Sequence, residues 1–273
     1  MRIDCLGIEE SSLPGNILNI PCGKNERLRA LVQKMGEDVR LQTLWRCANV
    51  MAIDRMGYTD HGPVHVKIVS NSALRILRLL IENGIVPGVV KNYKMTNEDA
   101  EVIVVLASVF HDLGMTVLRE NHGFYSIILC QDFLKRYLGT VYDEEKATIV
   151  SSEVLHALST VHDEDKTPLT IEAGVVRIAD ALDMEKGRAR IPFQAGKIDI
   201  HSVSALSIEE VQIEKGTDKP IIIKVQMTSS AGIFQIDQLL RQRISNSGLE
   251  KYVHVVAMIK GTEGERLIKK YEI

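Results

Sequence analysis

What the sequence lacks narrows its class before any motif is considered. None of its four cysteines, at positions 5, 22, 47 and 130, pairs with another as C-x-x-C, so neither a thiolate zinc site nor a disulfide framework is indicated and the thiols read as reduced. No apolar run approaches the ~20 residues that cross a bilayer. The most apolar stretch, Val102 to Phe110, is short and is interrupted at Ser108. No charged-then-apolar signal segment opens the chain, and we expect a soluble, cytoplasmic protein with no membrane partner. Charge of one sign is not in excess either. The formal net charge of -3 divides into 22 basic and 26 acidic residues through position 196, and 11 and 10 beyond it. Nucleic-acid binders carry a basic balance, so nucleic acid is not an expected partner. There is no low-complexity run, and 273 residues at 45% hydrophobic and 25% charged suit a folded main domain plus a smaller one.

Three regions follow from the patterning. Residues 1–23 mix Gly, Pro, Ser and Asn with short apolar pieces such as Ile17-Leu18-Asn19-Ile20, and are expected to form an N-terminal strand or packed arm. Residues 24–195 carry apolar residues at helical spacing: Leu28, Leu31, Val32 and Met35, then Leu41, Leu44, Trp45, Ala48, Met51 and Ala52, then Val66, Val69, Ala73, Leu74, Leu77 and Leu80. Gly36, Gly57 and Gly84 mark helix ends, and Pro63 suits a first turn. Asn97-Glu98-Asp99 begins a helix that is apolar nearly all round, hence central, and that runs directly into His111-Asp112. Further helices are predicted over about 121–138, 143–162 and 170–185. Residues 196–273 change texture, with two strands joined by a Gly216-Thr217-Asp218 turn, a helix through Ile236, Leu239, Leu240 and Ile244, and strands over 252–259 and 266–271. The fold class expected is mainly α: an all-helical domain followed by a small α+β domain in which one helix packs on an antiparallel sheet.

Five of the eight histidines fall between positions 61 and 156. His61 and His65 are neighbours one turn apart if the helix begins by Gly62. His111 and Asp112 end the most buried helix, where an ionised carboxylate without a partner is costly. Asp180 interrupts an otherwise apolar helix surface at Ile178, Ala179, Ala181 and Leu182. A divalent cation offsets these costs, and mixed imidazole and carboxylate donors suit zinc, manganese, iron, cobalt or nickel better than calcium.

His65, then His111-Asp112 within His111-Asp112-Leu113-Gly114, then Asp180 within Ile178-Ala179-Asp180-Ala181-Leu182-Asp183 resembles the H…HD…D signature of the HD superfamily of metal-dependent phosphohydrolases, a helical fold. The resemblance implies that His65, His111, Asp112 and Asp180 hold one divalent metal ion, with His122 and His156 helping to hold a second and Asp112 bridging. Two ions per chain are expected, and Mn, Fe, Zn, Ni, Co and Mg are not distinguished. It also implies that His61 acts as a general acid beside the catalytic Asp112, and that Lys186 and Arg188 bind the substrate phosphate. Arg188 in particular is similar to a basic residue that follows the aspartate in the binuclear HD-GYP branch. No Gly-Tyr-Pro motif follows His156, and His156-Ala157-Leu158 replaces that branch's His-His-Glu, which argues against a cyclic-di-GMP phosphodiesterase.

The expected function is hydrolysis of a phosphate ester, of a nucleotide or other small phosphorylated molecule, by a metal-activated water. Two alternatives are a regulatory nucleotide- or metal-binding module without turnover, and di-iron oxygenase-type chemistry. A homodimer is expected on frequency alone. His162, His201 and His254 read as ordinary core or surface residues, with His162 near enough to His156 to replace it. Lys186 and Arg188 read equally well as a basic helix end. Asp183 reads either as a partner of a ligand or as polar surface, and Asn49 as solvent-exposed.

Overall fold

A computed structural model of the chain describes residues 18–187, 200–259 and 270–272. Among them the fold is helical to residue 187, and a small sheet follows. The helices are α1 (Glu26–Glu37), α2 (Val39–Asn49, continued as a π-helical segment Val50–Arg55), α3 (Pro63–Glu82), α4 (Gly88–Tyr93), α5 (Asn97–Phe110), α6 (His122–Leu138), α7 (Glu144–Thr160) and α8 (Ile171–Ala181). A helical domain followed by an α+β unit is thus the observed architecture, as expected.

Local signals set these boundaries. Thr96 and Asp99 close a reciprocal capping box at the start of α5, and Asp38, Asp143 and Thr170 cap α2, α7 and α8 through their side chains. Gly57 and Gly84 turn the chain at φ +63° and +79° after α2 and α3. Helix α5 is the hub, buried along nearly all its length and packed by α3, α7 and α8. Trp45 of α2 reaches its C-terminal end and donates to the Val109 carbonyl at 3.1 Å. The last turn of α5 is thereby fixed, and His111 and Asp112 follow it directly. Leu18, Ile20 and Cys22 are buried against this core as a packed arm with no strand, tied down by Arg78, which donates to the Pro21 carbonyl at 2.8 Å. The rest of the arm, 1–17, lies outside the described residues.

Beyond the helices come α9 (Ile200–Leu206), β1 (Ile208–Lys215), β2 (Ile221–Met227), β3 (Val253–Ile259) and β4 (Lys270–Glu272) in the order β1-β2-β3-β4. A helix labelled α10 joins β2 to β3; it runs Ile233–Gln235, widens to π geometry over Ile236–Leu240 and closes over Arg241–Ser245. The β1–β2 pair is the expected hairpin, with Gly216 N–H donating to the Pro220 carbonyl at 3.1 Å. The β2–β3 pair is parallel, which corrects the expectation of an antiparallel sheet. The connection between these strands carries α10, and a helical crossover returns the chain in the same direction where a tight turn reverses it. The short helices α4 and α9 are additions to the reading above, too short to leave a periodic signature. The expected boundary at 195/196 and residues 266–269 of the last predicted strand fall outside the described residues. Apolar residues of helices and sheet form one continuous cluster, and a Cβ on Gly174 of α8 would come within 2.4 Å of the Ser247 carbonyl. The sheet unit therefore sits directly on the helical domain.

Asp38 joins the ends of α1 and α2 to α6: it caps α2 and accepts from Tyr137 Oη at 2.8 Å and Arg136 at 3.1 Å. Burial raises its carboxyl pKa, but these donors outweigh burial and hold it below the usual 3.8. The sign follows. A depressed folded value gives stabilisation that is present above the unfolded value and is lost as pH falls through the folded one. Asp38→Ala is expected to cost about 1 kcal/mol or somewhat more, seen as a lower Tm at neutral pH, and the difference from wild type should shrink in acid.

Candidate metal centre

Four elements bring the site together. His65 comes from the first turn of α3, His111 and Asp112 from the end of α5, Asp180 from the last turn of α8, and His122 from the first turn of α6. His65 and His111 are fully buried, and Asp112 is 2% exposed. Each imidazole has one ring nitrogen committed. His65 Nδ1 donates to Asp183 at 2.6 Å, His111 Nδ1 to the Ser108 carbonyl at 2.7 Å, and His122 Nδ1 to the Arg119 carbonyl at 2.7 Å. These bonds fix the tautomers, so the three Nε2 atoms present lone pairs.

Those lone pairs meet other acceptors. His65 Nε2 lies 3.0 Å from His111 Nε2, 3.3 Å from Asp112 Oδ2 and 3.3 Å from Asp180 Oδ1. His111 Nε2 lies 3.3 Å and 3.5 Å from the same two oxygens. One proton cannot satisfy four acceptors, and an unpaired buried acceptor costs roughly 1–3 kcal/mol. Donors held about 2.0–2.2 Å from a shared cation, at tetrahedral or octahedral angles, stand about 2.8–3.6 Å apart. The observed spacings match that figure, so these residues fit a divalent cation.

Asp112 has a second set of neighbours. Its Oδ1 lies 3.3 Å from His122 Nε2 and 3.2 Å from His162 Nε2. Both Asp112 Oδ1 and His162 Nε2 are buried atoms without a hydrogen-bond partner. His65, His111 and Asp112 form one group that could hold a metal ion, and Asp112, His122 and His162 form another. The side chains of His122 and His162 are 13% and 17% exposed, so this second group is the one that opens to solvent.

Electrostatics agree with cationic demand. Burial pushes the carboxyls of Asp112 and Asp180 up, yet the surrounding imidazoles outweigh it and hold both well below the usual range. Burial and the charge on His122 press His162 down to about 4, whereas Asp112 overcomes burial at His122 and raises it. One carboxylate oxygen thus serves two rings 4.1 Å apart, and both cannot carry a proton on it.

The close packing behind Asp112 depends on glycine. A Cβ on Gly114 would lie 1.9 Å from the His122 carbonyl. Its N–H donates to Ser126 Oγ at 2.8 Å, and Ser126 donates in turn to the His111 carbonyl at 2.6 Å. Helix α6 is thereby pressed against the turn that follows His111-Asp112.

Several expected roles are revised by these positions. His156, expected at the second metal, points away: its Nε2 accepts from Leu169 N–H at 3.0 Å. Helix α7 ends at Thr160, and His162 in the turn beyond it occupies the place beside Asp112. His61 precedes the first turn of α3 instead of sharing its face, since the helix begins at Pro63; its ring still lies 5.9 Å from that of His65. Asn49 is not solvent-facing: its Oδ1 accepts from His61 N–H at 2.8 Å, and its amide packs on Gly62. Asp183 is the buried partner of His65. Lys186 is exposed, and Arg188 lies outside the described residues.

Comparison with known proteins agrees with the constellation. A family model described as HD domain matches residues 66–185, a span that starts just after His65 and contains the other site residues from His111 to Asp183. The chain is 43% identical over 232 residues to the uncharacterized protein MJ1020 of Methanocaldococcus jannaschii, covering 85% of this chain and 89% of that one. No solved structure matches it significantly. Among the described residues no helix is long and apolar enough to cross a membrane.

Two outcomes are expected. Gly114→Ala should destabilise the fold by about 1–3 kcal/mol through overpacking, measured by urea unfolding, and should weaken metal retention because His122 moves with the carbonyl it displaces. Metal analysis should further separate two histidines: His162→Ala loses bound cation, whereas His156→Ala retains the wild-type content.

Proposed function

Because the chain belongs to the HD domain family, we propose that it is a metal-dependent phosphohydrolase acting on a small phosphate ester, with nucleotides the substrate class. His65, His111, Asp112 and Asp180 would hold one divalent cation, and Asp112, His122 and His162 would hold a second. The observation that carries this reading is the divided carboxylate: Asp112 Oδ2 faces His65 and His111 at 3.3 Å, while Oδ1 faces His122 and His162 at 3.3 and 3.2 Å. When bound, such cations supply Lewis acidity and a water whose pKa falls toward neutrality.

The chain's own residues do the rest. Asp183 holds the His65 ring with its Nε2 directed at the cluster, and the Ser108 carbonyl does the same for His111. The buried group excludes bulk water, while the partly exposed His122 and His162 form the side from which a phosphate would approach. His61 donates through Nδ1 to the Thr59 carbonyl at 2.7 Å, so Nε2 is the nitrogen that would pass a proton to a leaving oxygen when the ring is in its imidazolium form. Asn49 fixes the His61 backbone for that task.

Turnover of a panel of phosphate monoesters, cyclic diesters and nucleoside triphosphates with added Mn²⁺ tests the proposal. His61→Ala is expected to slow phosphate release by roughly 10²- to 10⁴-fold while metal content stays at the wild-type level. Equal loss of metal would make His61 a ligand. Visible absorbance from bound iron with no phosphate release would replace hydrolysis by oxidation.

A further inference from the structure

The turn that carries His162 is gripped from behind by two arginines, neither of which touches the ligand atoms. Arg177 of α8 is 1% exposed. Its guanidinium donates to the Asp163 carbonyl at 2.5 Å, the Lys166 carbonyl at 2.6 Å and the Asn246 carbonyl at 2.7 Å, and also to the Thr160 carbonyl. Arg243, at the end of α10, donates to the Val161 carbonyl, the peptide immediately before His162. Two further groups from the same helix end hold Glu164: Gln242 Nε2 donates to its carboxylate at 2.8 Å, and Asn246 Nδ2 to its carbonyl at 3.4 Å.

A turn beyond a helix end has no ladder of its own to fix it. Here carbonyls of residues 160, 161, 163, 164 and 166 all receive side-chain donors, and two of the three donor residues, Arg243 and Asn246, belong to the C-terminal unit. Gly174 lets the Ser247 backbone, next to Asn246, lie against α8. His65 and His111, by contrast, take their orientation from within the helical domain, through Asp183 and Ser108. The two groups of ligands therefore have different supports.

We propose that Arg243 and Arg177 are positioning residues for His162, and that the C-terminal α+β unit, acting through Arg243, governs occupancy of the His122–His162 side of the centre while leaving the His65–His111 side unaffected. This rests on the two-cation reading above. The direct role of the unit is then to complete the half of the site that meets substrate.

The test is Mn²⁺ binding to the full chain, measured by titration calorimetry and by metal content after desalting, for wild type, His162→Ala, Arg243→Ala and Arg243→Lys. Wild type should take up two cations. Arg243→Ala should bind the first as wild type does and the second about 10- to 100-fold more weakly, the range seen when groups that orient metal ligands are removed. Arg243→Lys, which keeps one donor for the Val161 carbonyl, should restore most of that loss. If Arg243→Ala does not fold by circular dichroism, the double variant Gln242→Ala/Asn246→Ala, which removes only the grip on Glu164, should weaken the second cation several-fold. Two cations bound at wild-type affinities by Arg243→Ala, or by that double variant, would overturn the inference alone, as would equal weakening of both cations. A single cation in wild type, unchanged by His162→Ala, would overturn the two-cation reading and this inference together.

Discussion

The crowding of acceptors at the end of α5 is the constraint on which the rest of the structure depends. Two imidazole lone pairs and two carboxylate oxygens stand 3.0–3.5 Å apart in a region closed to water. Without a cation that arrangement carries desolvation and repulsion together, since neither lone pairs nor carboxylates gain from each other's company in a low-dielectric interior. The helical domain holds the groups there regardless. Asp183, Ser108 and Arg119 each take an Nδ1 proton and turn the opposite ring nitrogen inward. The Gly114 and Ser126 contacts press α6 onto the His111-Asp112 turn, and Trp45 anchors the last turn of α5. The fold's stability is expended on preorganising a site whose donors suit a divalent metal.

Much of this was legible in the residues. The helices with strong 3.6-residue periodicity, α1 to α3 and α5 to α8, stood close to their predicted spans because apolar spacing and side-chain caps agree at each start. The nearly all-apolar α5 was recognisably central. The parallel β2–β3 pairing was not legible, because strand composition does not state the direction of the partner and only the length and helical content of the connection decide it.

At the site, the His65, His111, Asp112 and Asp180 order pointed to a common centre, but the choice between His156 and His162 could not be made from spacing. His156 sits on α7, where periodicity describes its face; His162 sits two residues past the helix end, where no period applies. Asn49 escaped for a related reason. It is the last residue of α2 before the π-helical segment, and that change of pitch rotates the following positions out of a 3.6-residue count. Asp183, one turn after Asp180, was within reach of either role until the His65 contact was seen.

The two units are not independent beads on a chain. A continuous apolar core joins them, and polar contacts from the end of α10 reach the turn that bears His162. Proximity of this kind gives the C-terminal unit a mechanical bearing on the more open half of the centre, whatever else it binds. The most direct test of the central claim is anomalous X-ray diffraction from crystals of the Mn²⁺-loaded chain. Two anomalous peaks roughly 3.5–4 Å apart, one on each side of the Asp112 carboxylate, are predicted. No peak between His65 and His111, with the side chains still clustered, would contradict the claim that a cation is what the cluster is built to hold.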